Sequence, residues 1–212
     1  SIVDVEKGIV YDVVNIPSWK EVPLRSVLER RYQLPVKVNN DANCFALADL
    51  HFGKGQGYSN MIGLIMGTGL AGGVIINGRL YEGANCGAGE FGEIPYLDSC
   101  YEHYCCGQFF ERKFELSGEE VSKMAFNKER RGLEIMEEFG RHVGKAITTI
   151  LFSHDPEIIV LGGSVSKSYG FFKTSLWGVL EGFTYSPTVK KLKIEVSDLD
   201  NPGILGAAAL FI

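Results

Sequence analysis

Leu34-Pro35-Val36-Lys37-Val38-Asn39-Asn40-Asp41-Ala42-Asn43 decides how the chain is read. Pro35 stops the amphipathic pattern before it, and Val36-Lys37-Val38 alternates as a short strand. Asn39-Asn40-Asp41 is then a polar turn able to cap an apolar, Ala-rich helix predicted from Ala42 to about Phe52. A strand, a polar turn and a helix in succession put side chains into a crevice.

Upstream, Val22, Leu24, Val27, Leu28 and Tyr32 recur at helical spacing over residues 20–34, with Pro23 in the first turn. Downstream, residues 61–66 and 72–76 read as strands, the second ending in the hairpin turn Asn77-Gly78 before Arg79-Leu80-Tyr81. Residues 83–92 hold four glycines and form a loop. From Leu133, the residues Met136, Gly140, Val143, Ile147 and Ile150 alternate three and four apart, which predicts a long helix with one buried face. Glu157–Leu161 is a continuous apolar strand ending in Gly162-Gly163. A helix around 166–181, an alternating strand at 192–196 and an Ala-rich helix from Gly203 follow. Strands alternating with helices and hairpins make the class α/β.

A chain of 212 residues, 45% hydrophobic and 22% charged, can bury a real core without disulfides, which excludes disorder and coiled coil. The formal charge of -5 and the scattered basic residues argue against nucleic acid as the main ligand. The longest apolar runs, 158–161 and 207–212, are too short for a membrane helix. Five cysteines, an odd number in a domain too large to need them, point to a reducing cytoplasm.

Several of these residues carry chemistry, each with a plainer alternative. Gly67-Thr68-Gly69 after an apolar strand can aim backbone N–H groups and a hydroxyl at a phosphate, or form a plain tight hairpin. Gly162-Gly163 suits a flat nucleotide base against bare backbone, or a strand-to-helix turn that needs small residues. Asp41 is a carboxylate at a strand end, or a helix cap. Glu90 and Glu93 flank Gly92 as a pair able to clamp sugar hydroxyls, or as solvated loop charges. Glu111 lies in an aromatic patch with Phe109, Phe110 and Phe114, where burial demands a partner. Cys100, His103, Cys105 and Cys106 have poor metal spacing, because adjacent cysteines do not readily direct both sulfurs at one tetrahedral ion.

Taken in order, Leu34-Pro35-Val36 to Asn40-Asp41-Ala42-Asn43, Gly67-Thr68-Gly69 with Gly72-Gly73 and Asn77-Gly78, Gly83-Ala84-Asn85 to Gly89-Glu90-Phe91-Gly92, and Ile158 to Gly163 resemble the ROK family of sugar kinases and sugar-responsive repressors. The resemblance spans nearly the whole chain, including Val3-Asp4 with Gly8, Pro17-Ser18-Trp19 and the ending Gly203-Ile204-Leu205-Gly206-Ala207-Ala208. It implies an actin-like, ribonuclease-H-like fold of two α/β lobes with the active site in the cleft between them. It also implies ATP-dependent phosphorylation of a hexose or N-acylhexosamine, with Mg2+ accompanying the ATP. Asp41 is then the general base, Asn40 binds a neighbouring hydroxyl, and Glu90, Glu93 and Glu111 serve the sugar. Gly67, Thr68 and Gly69 hold phosphates, and Gly162-Gly163 faces the adenosine. The alternative is the sugar-sensing domain of a ROK repressor, and a third reading is a catalytically dead sugar-binding lobe.

The chain departs from the family pattern in three places. The Asp-Gly-Gly-Thr phosphate motif is absent, so the expectation is a fragment with an incomplete N-terminal lobe: 1–41 joined by 201–212, with 42–200 as the C-terminal lobe. Glu93 stands where the family has a histidine, and Tyr104-Cys105-Cys106-Gly107-Gln108-Phe109-Phe110 replaces its zinc knot. No structural zinc is therefore expected, and the sugar is not assumed to be glucose. A homodimer is the expected assembly.

Overall fold

The computed structural model describes residues 2–13 and 16–212. In chain order the elements are β1 (Ile2–Asp4), β2 (Ile9–Tyr11), β3 (Glu21–Val22), α1 (Leu24–Tyr32), α2 (Asp41–Phe52), β4 (Met61–Met66), β5 (Leu70–Ile76) and β6 (Arg79–Tyr81). A 3-10 turn at Phe91–Glu93 leads to β7 (Pro95–Tyr96), β8 (Ser99–Cys100), α3 (Glu102–Cys105), α4 (Gln108–Phe114), α5 (Gly118–Phe126) and α6 (Arg130–His154). Then come β9 (Ile158–Gly162), α7 (Tyr169–Leu180), α8 (Ser186–Lys191), β10 (Lys193–Val196) and α9 (Pro202–Ala209). The main sheet has the order β10-β9-β4-β5-β6, and the chain divides into two compact units.

The first unit comprises residues 1–63, 72–89 and 198–212. The antiparallel sheet β1-β2-β3 opens it, with Val3 opposite Val10 and Val10 opposite Val22. The hairpin β5-β6 turns at Asn77 and Gly78, both at positive φ (52° and 71°), as a two-residue turn between twisted strands requires. Small residues set the packing of α2. A Cβ on Gly73 would lie 2.5 Å from the carbonyl oxygen of Ala42, and one on Gly206 of α9 only 1.6 Å from that of Cys44. The expected lobes, 1–41 with 201–212 and 42–200, partition the chain differently, because α2 packs along α9 and so belongs with the terminal segments.

The second unit comprises residues 64–71 and 90–197. Parallel strands β9 and β10 align Ile158 with Lys193 and Leu161 with Val196. The predicted stripe of α6 is buried as expected: Met136, Gly140, Val143, Ile147 and Ile150 face inward, and the helix extends back to Arg130. Fully buried Phe109, Phe110, Phe139 and Phe172 form the aromatic centre, with the rings of Phe139 and Phe172 5.2 Å apart. Among the described residues no helix is long and apolar enough to cross a membrane.

Two local expectations are corrected. Val36-Lys37-Val38 is not a strand. The Val36 N–H is taken by the Glu29 side chain at 3.2 Å, while Val36 and Val38 pack with Val3, Val10 and Cys86. The helix read over 20–34 begins only at Leu24, because Pro23 biases the residue before it toward extended backbone and Val22 joins the sheet instead.

Candidate functional site

In the first unit, the turn before α2 presents the candidate base. Asn40 is extended (φ −67°, ψ 147°) and caps α2, its Oδ1 accepting the Ala42 N–H at 2.8 Å. Asp41 is the first helical residue and is exposed; its Oδ1 accepts the same N–H at 3.0 Å. The turn is thus a helix cap, and it leaves Asp41 Oδ2 uncommitted among the described residues. Burial pushes the Cys44 thiol up to about 11, with the Asp41 and Cys86 charges adding to the effect, so this neighbour stays neutral.

Asn39, passed over in the sequence reading, organises the turn from behind. Its Oδ1 accepts the Asn40 N–H at 2.8 Å, Asn43 Nδ2 at 2.9 Å and the Cys86 thiol at 3.4 Å, and its Nδ2 donates to Glu82 Oε1. Glu82 and Cys86 also border a cavity of about 400 Å³ with Asp4, Glu6, Tyr11 and Asn85.

In the second unit, the end of β4 and the end of β9 meet. Gly163 has φ +83°, and a Cβ there would lie 2.3 Å from the Met66 carbonyl oxygen. Gly67 is the opposite case, since a Cβ would meet no atom within 4 Å. Gly67 and Thr68 line a cavity of about 690 Å³, within the range of small-molecule sites. Its lining combines apolar Phe110, Met136 and Val165 with polar Ser122, Ser164, Ser168 and Lys167. Lys123, also on the wall, is tied to Glu119 at 2.7 Å, whereas Lys167 has no ion-pair partner among the described residues. Gly69 and the pair Gly162-Gly163 lie outside the lining, and the residues following Gly163 reach it instead.

The glycine turn is held in place by residues distant in sequence. Gly67 N–H donates to the Gly69 carbonyl at 3.0 Å, and the Gly107 N–H donates to the Gly67 carbonyl at 2.8 Å. Glu102 Oε2 accepts the Leu70 N–H at 3.0 Å, and Gln108 Nε2 bridges Glu102 Oε1 (3.2 Å) and the Thr68 carbonyl (3.1 Å). No local motif marks Glu102 or Gln108; only the fold brings Glu102 to Leu70, 32 residues away.

Glu90 and Glu93 bracket the 3-10 turn of the second unit, and both are exposed. Gly92 and Phe91 clamp that turn, since a Cβ on Gly92 would lie 2.2 Å from the Leu70 carbonyl oxygen and Phe91 sets its ring edge-on to His154. Glu111 is exposed, as its surroundings require, and lines the same cavity as Gly67 and Thr68. Among the expected sugar residues, then, Asn40 and Asp41 belong to the first unit and Glu90, Glu93 and Glu111 to the second.

Among the described residues no three His, Cys, Asp or Glu side chains are grouped to hold a metal. Burial raises the Cys105 thiol well above its ordinary value and pushes Cys106 up to about 12. Cys106 Sγ donates to the Glu102 carbonyl at 2.9 Å and approaches that of Thr68 at 3.2 Å. Tyr96 stacks on Tyr101 at 4.4 Å and hydrogen-bonds His142 Nδ1 at 3.0 Å, while Tyr104 tilts against the same imidazole.

The chain is 32% identical to an N-acetyl-D-glucosamine kinase of Pectobacterium carotovorum subsp. carotovorum, over 93% of this chain and 73% of that protein. A ROK family glucokinase from Streptomyces griseus, solved with glucose and AMPPNP, superposes with a TM-score of 0.83 at 28% identity, over 98% of this chain and 78% of that one. A ROK family transcriptional regulator, a homologue of the Escherichia coli MLC protein, shares the fold at 23% identity and a TM-score of 0.87, over 99% of this chain and 59% of that one. The fold is the actin-like ATPase fold of these kinases. A sequence model of the ROK family matches residues 1–212, and the chain belongs to that family.

Proposed function

We propose that the protein transfers the γ-phosphoryl group of ATP to a hydroxyl of a hexose or N-acylhexosamine, with Asp41 as general base. The observation that carries this reading is the exposed Asp41 carboxylate, presented at the first position of α2 with one oxygen uncommitted among the described residues. Phosphoryl transfer is mostly positioning and charge neutralisation, so one carboxylate within hydrogen-bond reach of the attacking hydroxyl suffices to take its proton. Asn40, on the same turn, offers an amide to a neighbouring hydroxyl. Glu90 and Glu93 are acceptors for vicinal hydroxyls, and kinship with an N-acetyl-D-glucosamine kinase favours an N-acylhexosamine.

The 690 Å³ cavity fits a nucleotide: its apolar walls suit a base, and the open backbone at Gly67 with Thr68, Ser164 and Lys167 suits phosphates. Bound there, ATP would supply the phosphoryl group, and the Mg2+ accompanying it would neutralise phosphate charge. Glu111, on the cavity wall, is a polar partner for nucleotide or sugar hydroxyls.

Coupled ADP-release kinetics on the intact gene product, across hexoses and N-acylhexosamines, test the reading. Asp41→Asn is expected to lower turnover on the order of 100-fold or more while sugar binding weakens far less. Unchanged turnover in that variant would remove Asp41 from its role. The shared fold of the transcriptional regulator favours one second reading, a sugar-sensing domain. Sugar binding without turnover of any sugar by the wild type, with a helix-turn-helix encoded upstream, decides for it.

A further inference from the structure

We propose that Asn39 is the positioning residue of the Asn40-Asp41 pair, locking that turn to the loop at residues 82–86. The inference rests on the role given to Asp41 above and concerns what aims it. An exposed carboxylate on a turn has rotational freedom, and a misplacement of about 1 Å can cost roughly 100-fold in rate. The peptide entering the turn is therefore the element to fix, and Asn39 fixes it directly, its Oδ1 accepting the Asn40 N–H at 2.8 Å.

The rest of the Asn39 amide is committed to two other elements. Oδ1 also accepts Asn43 Nδ2 at 2.9 Å, one turn into α2, and the Cys86 thiol at 3.4 Å. Nδ2 donates to Glu82 Oε1. One side chain thus joins the turn, the helix behind it and the loop after β6. Replacement by a methyl group leaves Asn43 worse off than most residues, since Asn43 is 1% exposed and its Oδ1 already lacks a partner. A carboxylate in place of the amide keeps the three acceptor contacts but sets a second negative group against Glu82. The amide is the group that satisfies both sides, accepting on one and donating on the other.

Two arms test the proposal. In the first, hydrogen exchange compares the wild type with Asn39→Ala. The Asn40 amide and those of residues 86–88 are expected to exchange about 10-fold faster or more, while amides in the second half of α2 are unchanged. In the second, kcat of Asn39→Ala is expected to fall about 10- to 100-fold with KM for ATP within about twofold, and adding Asn39→Ala to Asp41→Asn to cost little more than Asp41→Asn alone. Asn39→Asp alone should be as slow, and Asn39→Asp with Glu82→Gln should recover most of kcat, because the amide placed at 82 donates to the carboxylate placed at 39. Unchanged exchange at Asn40 overturns the proposal, as does a loss of kcat that adds in full to that of Asp41→Asn. The exchange arm decides the link even if Asp41→Asn keeps full turnover, an outcome that would refute the base assignment alone.

Discussion

Gly163→Ala isolates the backbone approach on which the second unit's cavity depends. Residue 163 has φ +83°, where an L side chain costs roughly 1–2 kcal/mol. The added methyl would lie 2.3 Å from the Met66 carbonyl oxygen and 2.6 Å from its carbon, both backbone atoms unable to swing aside. Overpacking of this kind costs about 1–3 kcal/mol, so the combined destabilisation is about 2–5 kcal/mol. Urea unfolding should show it as a lower midpoint with an unchanged slope. Gly67→Ala is the internal control: a methyl there meets nothing within 4 Å, so stability should stay within about 0.5 kcal/mol while the methyl narrows the cavity and weakens ATP binding. If Gly163→Ala unfolds within about 0.5 kcal/mol of the wild type, or if Gly67→Ala is the more damaging of the two, the reasoning fails.

Two further outcomes follow from the cluster around Tyr96. Burial lowers the His142 pKa from its ordinary 6.5, so the folded state binds this proton less readily than the unfolded chain. The contribution of His142 to stability is then full above about pH 6.5 and is lost as pH falls through the depressed folded value; unfolding midpoints measured from pH 8 down to 5 should show this component, and His142→Gln should remove it. A midpoint that rises on acidification through that window contradicts the assignment. Elemental analysis of protein purified without chelator should find no stoichiometric zinc, and EDTA should leave the melting temperature unchanged, because the Cys105 and Cys106 thiols are held protonated in apolar surroundings. One tightly held zinc per chain would refute this and point to Cys100, His103 and Cys106.

Elements with strong periodicity were legible from the sequence, and those set by distant partners were not. The α6 stripe is visible because Met136, Val143 and Ile147 repeat along one face, and the Asn77-Gly78 turn because few other pairs take positive φ twice. The helices between 102 and 126 went unread, although Ser117-Gly118-Glu119-Glu120 carries a capping-box spacing that the structure forms in full. At the site, Asn40-Asp41 and the glycine turns stand out as local motifs. Asn39, Glu102 and Gln108 do not, since each acts through a partner that only tertiary structure supplies. Val36-Lys37-Val38 alternates like a strand yet lies outside any sheet, because alternation reports a face to be buried and not a neighbour to pair with.

The seam between α2 and α9 bears on the order in which the molecule is made. Gly206 lets α9 settle onto the Cys44 backbone, so the first unit draws together residues 1–63, 72–89 and 198–212. During synthesis α2 emerges well before α9, and its Ala-rich face stays uncovered until α9 has followed it. The second unit comes from an almost unbroken stretch and can close while translation continues. The unit that carries Asp41 is therefore completed only after the stretch that forms the second unit has been made.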